Sequence, residues 1–157
     1  MGPSMIERAR ADHLKTVCEL TYQYYEISPY RDHITWDTDT ALDQLRRHMI
    51  DPTSLFLVFT YAGQPRGYAI ATLCTYLFNT KPFVNIDYIF VHPDYRTADY
   101  TAAEQLVEHI EAWAIECEAA EIICGDIGIN PEVISRWYRS QGYSYQGVCM
   151  TKRLNHG

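Results

Sequence analysis

The amino-acid sequence predicts a single α/β domain, in which a mixed, twisted sheet of about six to seven strands is flanked by about four helices. Short apolar runs rich in β-branched and aromatic residues alternate with longer segments in which apolar residues recur at every third or fourth position. The length of 157 residues suits one domain, and no linker, repeat or low-complexity segment divides it. Residues 1–4 are interpreted as an expression-tag remnant, which leaves residues 5–157 as the domain.

The N-terminal half is predicted to contain a strand, two helices and a β-hairpin. Asp12 is expected to cap the first helix, and Thr38 or Asp39 the second, because such side chains accept hydrogen bonds from the free amides of a helix start. Asp51 is expected to end the second helix, since a residue that precedes proline avoids the helical region. In chain order, the predicted elements are a strand over 5–10, helices over 12–25 and 38–48, and hairpin strands over 54–61 and 67–78.

The C-terminal half is predicted to alternate strands with helices. Thr101 and Glu104 form a T-x-x-E pattern, which predicts a capping box at the start of a long amphipathic helix. Pro131 and Gly142 bound a second helix, because proline suits the first helical turn and glycine suits a helix stop. Strands are expected over 83–91, 121–127 and 145–153. The apolar face of the long helix comprises Ala103, Leu106, Val107, Ile110, Ala114 and Cys117.

Composition argues against several classes of partner. The formal net charge of −7 disfavours nucleic acid, which needs clustered Lys and Arg; it suits a basic substrate, and also simple solubility. No apolar run is long enough to span a membrane. The five cysteines are odd in number and form no C-x-x-C motif, and the histidines have no metal-ligand spacing. These patterns predict free thiols, a cytoplasmic protein and no metal site.

The segment over residues 83–117 carries the strongest functional signal. An apolar strand ends at Val91, a turn with His92, Pro93 and Asp94 follows, and Arg96 precedes the long helix. A strand that leads into a helix N-terminus suits a phosphate-bearing ligand, because free backbone N–H groups and the positive end of the helix dipole point outward there. The loop contains no glycine, however.

Asp87 is the best candidate for a general base. It lies within the apolar central strand, where a carboxylate is costly to bury unless it is paired or solvated at a cleft. Period-two alternation predicts that Ile86, Tyr88 and Phe90 share one face and that Asp87 lies on the other. A hydrogen bond from a neighbouring loop, or an Arg partner, would explain the same residue without a catalytic role.

Two motifs resemble those of the GNAT N-acetyltransferase superfamily. Val91, Pro93 and Arg96 match its V-x-P-x-x-R motif, and residues 137–143 resemble its Y-x-x-x-G-F/Y signature. The predicted order of elements also follows this family over nearly the whole chain. The resemblance implies an enzyme that uses acetyl-coenzyme A as cosubstrate and acetylates an amine of a small molecule or a protein.

The phosphate loop departs from the family pattern R/Q-x-x-G-x-G/A. Aligned without a gap, Asp99 and Thr101 replace the two glycines; aligned by the helix's apolar face, Ala103 takes the last Gly/Ala position, and we prefer this second alignment. Phage-borne members of the family often have similarly degenerate loops. The resemblance implies coenzyme-binding roles for Phe90, Val91, Arg96, Thr101, Ala102, Ala103 and Asn130.

The resemblance also implies a mechanism, in which the amine attacks the thioester directly within a ternary complex. Asp87 or a water would act as base, the backbone near Phe90 would polarise the thioester carbonyl, and Tyr138 would protonate the thiolate. Tyr138 is equally well explained as an aromatic that packs its helix onto the sheet. A GNAT-fold protein that has lost coenzyme binding and serves as a binding or regulatory module is the alternative function.

The acceptor would lie against the first two helices and the loop between them. Tyr25 and Tyr30 are the first choices for contact with it, and Glu26 could pair with an amine. A packed aromatic lid without a ligand explains these residues nearly as well. The acceptor's identity, the acyl chain and the formation of a homodimer stay open.

Overall fold

A computed structural model describes residues 3–125, 131–147 and 150–154. The chain forms two compact units, Met1–Cys124 and Gly125–Gly157. In the first unit the strands are β1 (Ser4–Arg8), β2 (Ser54–Tyr61), β3 (Gln64–Thr75), β4 (Pro82–Val91) and β5 (Ile122–Cys124), and the helices are α1 (Leu14–Ile27), α2 (Thr38–Ile50) and α3 (Ala102–Glu116). The second unit contains α4 (Pro131–Ser140).

The first unit is built on one mixed sheet of five strands in the order β1-β2-β3-β4-β5. Neighbouring strands are antiparallel except β4 and β5, which are parallel and are joined through α3. The hairpin turn between β2 and β3 uses Ala62 and Gly63, whose φ angles of 52° and 79° suit a tight two-residue connection. The predicted α/β class, the mixed sheet and the four helices are confirmed.

Helices cover the sheet with apolar side chains. α1 and α2 pack on one face, where Val17 is fully buried and Leu45 and Tyr68 belong to the same cluster. α3 packs against β2, β3 and β4. Four of the six residues predicted for its apolar face are buried, namely Leu106, Val107, Ile110 and Ala114. Ala103 and Cys117 are only partly buried, and Ala102 is buried in addition. Burial of these apolar surfaces supplies the main stabilisation of the layers.

Two predicted caps are wrong. Asp12 lies inside a short 3₁₀ turn, Ala11–His13, which precedes α1. Asp37, rather than Thr38 or Asp39, caps α2, because its backbone is extended and its carboxylate accepts a hydrogen bond from the backbone N–H of Thr40 at 3.0 Å.

The predicted strand count of about six to seven is also wrong for the described residues, which form five strands. The described part of the segment predicted as the last strand, residues 145–147 and 150–153, adopts no strand. Gly147 interrupts this segment, and a glycine inside a strand weakens it because it has no side chain to pack.

Candidate functional site

The parallel pairing of β4 with β5 ends in the middle of β4. The last pair joins Ile86 to Cys124, whereas β4 continues to Val91. Residues 87–91 therefore lack a β5 partner along the part of the chain that the structure describes; we call this segment the open edge of β4. Backbone N–H and C=O groups at such an edge can bind an extended ligand as an added strand would.

A β-bulge at Asp87 begins the open edge. On β3, the consecutive residues Ile70 and Ala71 pair with Tyr88 and Ile86, so Asp87 is the extra residue of β4. Because cross-strand partners share a face and neighbours along β3 point to opposite faces, Ile86 and Tyr88 lie on opposite faces. The predicted common face for Ile86, Tyr88 and Phe90 is wrong for this reason.

Asp87 itself is partly exposed, and its carboxylate accepts a hydrogen bond from the side-chain amide of Asn85. The partner belongs to β4 itself and is neither the neighbouring loop nor the arginine that the structural explanation named. The remaining lone pairs leave the carboxylate capable of accepting a proton. Its catalytic role stays a prediction.

Tyr88 is a site residue that the sequence reasoning missed. The bulge turns it towards α1, where its ring meets the ring of Tyr24 edge-on with centroids 6.5 Å apart. Tyr88 is 43% exposed. Partial burial, then the negative charge of Asp87 and then Tyr30 raise the pKa of its phenol. No pattern in the sequence marks the bulge, so simple alternation places Tyr88 on the same face as Ile86.

Arg96 supports the end of β4. Its Nε donates to the carbonyl of Val91 at 2.6 Å, and its guanidinium lies 5.0 Å from the centre of the Phe90 ring. Partial burial lowers the pKa of Arg96. The side chain thus joins the open edge to the loop that follows it, and it brings a positive charge to their junction.

Gly67 allows β3 to pass close to the open edge. A Cβ at this position would lie 3.1 Å from the carbonyl oxygen of Phe90 and 3.2 Å from a methyl group of Val91. Gly67 pairs with Val91 in the sheet. Any larger side chain would displace the backbone of the two predicted coenzyme contacts.

The predicted capping box at the start of α3 is wrong. Thr101 adopts the left-handed conformation, with φ 46° and ψ 35°, and its side chain makes no capping hydrogen bond. A normal cap needs an extended backbone, and here the Thr101 hydroxyl instead accepts a hydrogen bond from Gln105 Nε2 at 3.0 Å. Left-handed backbone is what glycine provides in the family loop, so this geometry favours the alignment without a gap. Ala102, which is buried, and Ala103 then form the first turn of α3.

Three tyrosines hold the loop between β4 and α3. The rings of Tyr61, Tyr95 and Tyr100 lie 4.9–5.4 Å apart, centre to centre, and the guanidinium of Arg66 lies 5.6 Å from the centre of the Tyr95 ring. The sequence reasoning missed this cluster, because Tyr61 is distant along the chain from Tyr95 and Tyr100. Such packing fixes the loop without glycine.

The predicted acceptor contacts lie at the end of α1 and just after it. The Tyr25 hydroxyl donates to the Ile34 carbonyl, and the Tyr25 ring packs on Trp36 at 5.5 Å, so much of its surface serves the α1–α2 loop. Tyr30 lies in a 3₁₀ turn and is half-buried, whereas Glu26 is exposed. Of these three residues, Tyr30 is the one that contributes to the raised pKa of Tyr88, after burial and the charge of Asp87.

The second unit contains two further predicted residues. Tyr138 on α4 is buried, and its ring meets those of Trp137 and Tyr143 at 4.9 and 5.2 Å. Gly142 has φ 93° just past α4, which confirms the predicted helix stop. Asn130 lies outside the described residues.

The described residues contain no helix that is long and apolar enough to cross a membrane. Nor do residues 3–125, 131–147 and 150–154 contain a group of three or more His, Cys, Asp or Glu side chains placed to hold a metal ion.

A comparison with models of protein families identifies one family. The model described as the acetyltransferase (GNAT) family matches residues 14–143. No curated protein matches the sequence. Aminoglycoside N-acetyltransferase AAC(6')-Iy in complex with CoA is similar in structure, with a TM-score of 0.78, 18% identity, and coverage of 98% of this chain and 96% of that one.

Two further solved structures are similar. A possible acetyltransferase from Clostridium difficile 630 has a TM-score of 0.77 and 15% identity over 98% of this chain and 99% of that one. A transcriptional regulator from Bacillus halodurans C-125 has a TM-score of 0.76 and 17% identity over 95% of this chain and 99% of that one. At these identities, the likeness establishes the fold alone.

Proposed function

Because this chain belongs to the GNAT acetyltransferase family, whose model matches residues 14–143, we propose that it transfers an acetyl group from acetyl-coenzyme A to an amine. The open edge of β4 is the observation that carries this proposal. It leaves the backbone of residues 87–91 without a β5 partner among the described residues, on a strand against which α3 packs.

The coenzyme fits two features of the first unit. The extended pantetheine arm would hydrogen-bond to the open edge at Phe90 and Val91. The pyrophosphate would lie at the N-terminus of α3, where Thr101 leaves the helix amides without a side-chain cap. Structures of the similar AAC(6')-Iy with CoA and with a CoA-based bisubstrate analogue support the same ligand class.

The chemistry requires a neutral amine, a polarised thioester and a proton for the departing thiolate. In our proposal the amine attacks the thioester carbon directly within a ternary complex, and Asp87 or a water takes the proton that the amine loses. The backbone N–H near Phe90 stabilises the developing oxyanion. Tyr138 then gives its proton to the coenzyme sulfur.

The loop acids favour a second candidate, a GNAT-fold binding or regulatory module without coenzyme. Burial, then Tyr61 and Tyr95, and then the negative charges of Asp99 and Asp94 raise the pKa of Tyr100. Tyr100 lies directly before Thr101, so both carboxylates belong to the loop that enters α3. Two carboxylates near a pyrophosphate would oppose its binding. The absence of a side-chain cap at Thr101 argues against this candidate, because a closed cap would have removed the amides that an anion needs.

Thermal melting with acetyl-coenzyme A tests the two candidates. Ligand at a hundred times its dissociation constant stabilises a protein by about 2.7 kcal/mol, which for a chain of this size raises Tm by roughly 5–11 °C. We expect this rise in the wild type and a smaller one in Arg96→Ala. Arg46→Ala is the matched control, since Arg46 lies exposed on α2, where it pairs with Asp43. Acetyl-pantetheine, which lacks the pyrophosphate, should give little rise.

No rise at millimolar acetyl-coenzyme A would overturn the acetyltransferase proposal and leave the binding module. A rise that Arg46→Ala weakens as much as Arg96→Ala does would contradict the role of Arg96.

A further inference from the structure

Two tyrosines from separate elements meet beside the open edge of β4. Tyr24 comes from the second half of α1 and Tyr88 from β4. The Tyr24 ring meets Tyr88 edge-on at 6.5 Å and Phe90 at 6.0 Å. We call Tyr24 and Tyr88 the tyrosine wall.

The bulge at Asp87 creates this wall. Without the extra residue, Tyr88 would point to the face that α3 covers, and only the bulge brings it towards α1. The same bulge places Asp87 next to Tyr88 and starts the segment that has no β5 partner among the described residues. Tyr88, the Asp87 carboxylate and the proposed thioester position therefore belong to one short stretch of β4.

The charges around Tyr88 suit a single positive charge. Asp87 is the only acidic residue within residues 87–91, the open edge, and it adjoins Tyr88 in the chain. Burial, and then the negative charge of Asp87, raise the pKa of the Tyr88 phenol. Aromatic faces attract organic cations, and one adjacent carboxylate adds to this attraction. The wall therefore combines an aromatic surface with one adjacent carboxylate.

We propose that the tyrosine wall binds the acceptor, and that the acceptor is a primary amine carried on an alkyl or arylalkyl body with a single positive charge. The inference rests on the proposed acetyl transfer and names its substrate class. Polycationic aminosugars, the class named for AAC(6')-Iy, carry several ammonium groups and would need several carboxylates at the site. An aromatic wall with one carboxylate does not provide them.

Steady-state kinetics with two probe amines tests the inference. 2-Phenylethylamine represents the proposed class, and kanamycin represents the polycationic one; release of the coenzyme thiol reports the reaction. We expect turnover of 2-phenylethylamine with at least about tenfold higher kcat/KM than that of kanamycin.

Variants separate the wall from general packing. Tyr88→Ala should raise the KM for 2-phenylethylamine about tenfold, whereas Tyr88→Phe, which keeps the ring, should stay within roughly threefold. Phe78→Ala is the matched control, because Phe78 is an 83% exposed aromatic on the β3–β4 connection. It should leave KM unchanged. If Tyr88→Ala does not fold, Tyr88→Leu replaces it.

Thermal melting with acetyl-coenzyme A distinguishes a failure of the proposed acetyl transfer from a failure of the inference about the acceptor. No rise in Tm in the wild type would refute acetyl transfer itself. A normal rise combined with preference for kanamycin, with turnover of neither amine, or with an unchanged KM in Tyr88→Ala would overturn the inference about the acceptor and leave the coenzyme proposal standing.

Discussion

The side-chain amide of Gln105 donates a hydrogen bond to the hydroxyl of Thr101, 3.0 Å away, and a second one to the carbonyl of Tyr100, 2.9 Å away. One turn of α3 therefore holds the loop that enters it. Because the Thr101 hydroxyl is engaged by Gln105 and its backbone is left-handed, it cannot cap the helix. A glycine-free loop thus keeps the backbone shape that glycine would supply, at the cost of strain in a β-branched residue.

Thr101→Gly should strengthen coenzyme binding. Removing the Cβ relieves a left-handed conformation that costs a β-branched residue about 1–3 kcal/mol, while the lost hydrogen bond from Gln105 offsets about 1 kcal/mol. We expect stability to change by less than about 2 kcal/mol and the Kd for acetyl-coenzyme A to fall several-fold by calorimetry, because the backbone can approach the pyrophosphate more closely.

Thr101→Ala is the control for this prediction, since it removes the same hydroxyl but keeps the Cβ. Equal gains in affinity for the two variants would show that the hydroxyl, and not the Cβ, limits binding.

Asp99→Asn should also raise affinity for acetyl-coenzyme A. Asp99 lies two residues before Thr101. After burial and the neighbouring Tyr61 and Tyr95, its negative charge helps to raise the pKa of Tyr100. Removing a negative charge near the proposed pyrophosphate position should lower Kd about two- to fivefold at low salt, and less at physiological ionic strength. Calorimetric titrations at two salt concentrations measure the effect.

The matched variant Asp43→Asn removes a carboxylate from the exposed surface of α2, where it pairs with Arg46. If it lowers Kd as much as Asp99→Asn does, the effect comes from net charge and not from the loop.

Local sequence patterns predicted the helices and strands well, but they did not predict the β-bulge or the cap of α2. β2 was predicted with the bounds that the structure has, because a continuous β-branched and aromatic run sits between clear turn signals. The bulge at Asp87 has no such signal, since it depends on the register with β3. The start of α2 was ambiguous because Asp37, Thr38 and Asp39 are all good caps.

The candidate site divides in the same way. Its backbone parts, the end of β4 and the start of α3, could be located from the V-x-P-x-x-R motif. The tyrosine wall and the support from Gly67 could not, because they join residues that are distant in sequence. Alternation placed Tyr88 on the same face as Ile86, and this rule holds only without a bulge.

Gly67→Ala should disturb both stability and coenzyme binding. Its Cβ would meet the Phe90 carbonyl at 3.1 Å and Val91 at 3.2 Å, so the open edge of β4 must shift. Overpacking of this kind costs about 1–3 kcal/mol. We expect the loss in chemical denaturation, together with a smaller rise in Tm on addition of acetyl-coenzyme A.

Gly125→Ala provides the comparison, because a Cβ there has no heavy atom within 4 Å. If both glycine variants lose the same stability, close packing at the open edge is not the cause.

Stability should fall with acidification because of His13. This residue is 2% exposed at the start of α1, and its Nδ1 accepts a hydrogen bond from the backbone N–H of Arg10 at 3.1 Å. Burial, and then the charge of Arg10, lower the pKa of His13, although Asp12 and Glu7 act in the opposite direction. Its Nε2 lies 3.2 Å from Glu7 Oε1, but the net effect favours the neutral ring.

The sign follows from proton binding. Below pH of about 6.5 the unfolded chain takes up a proton at His13 that the folded protein resists, so stability is lost as pH falls, by at most about 1.4 kcal/mol per pH unit. We expect His13→Gln to lose less free energy of unfolding between pH 7.5 and 5.5 than the wild type, measured by urea denaturation. His109→Gln, at an exposed position on α3, should keep the wild-type dependence. An equal loss in His13→Gln and the wild type would place the acid sensitivity in other groups.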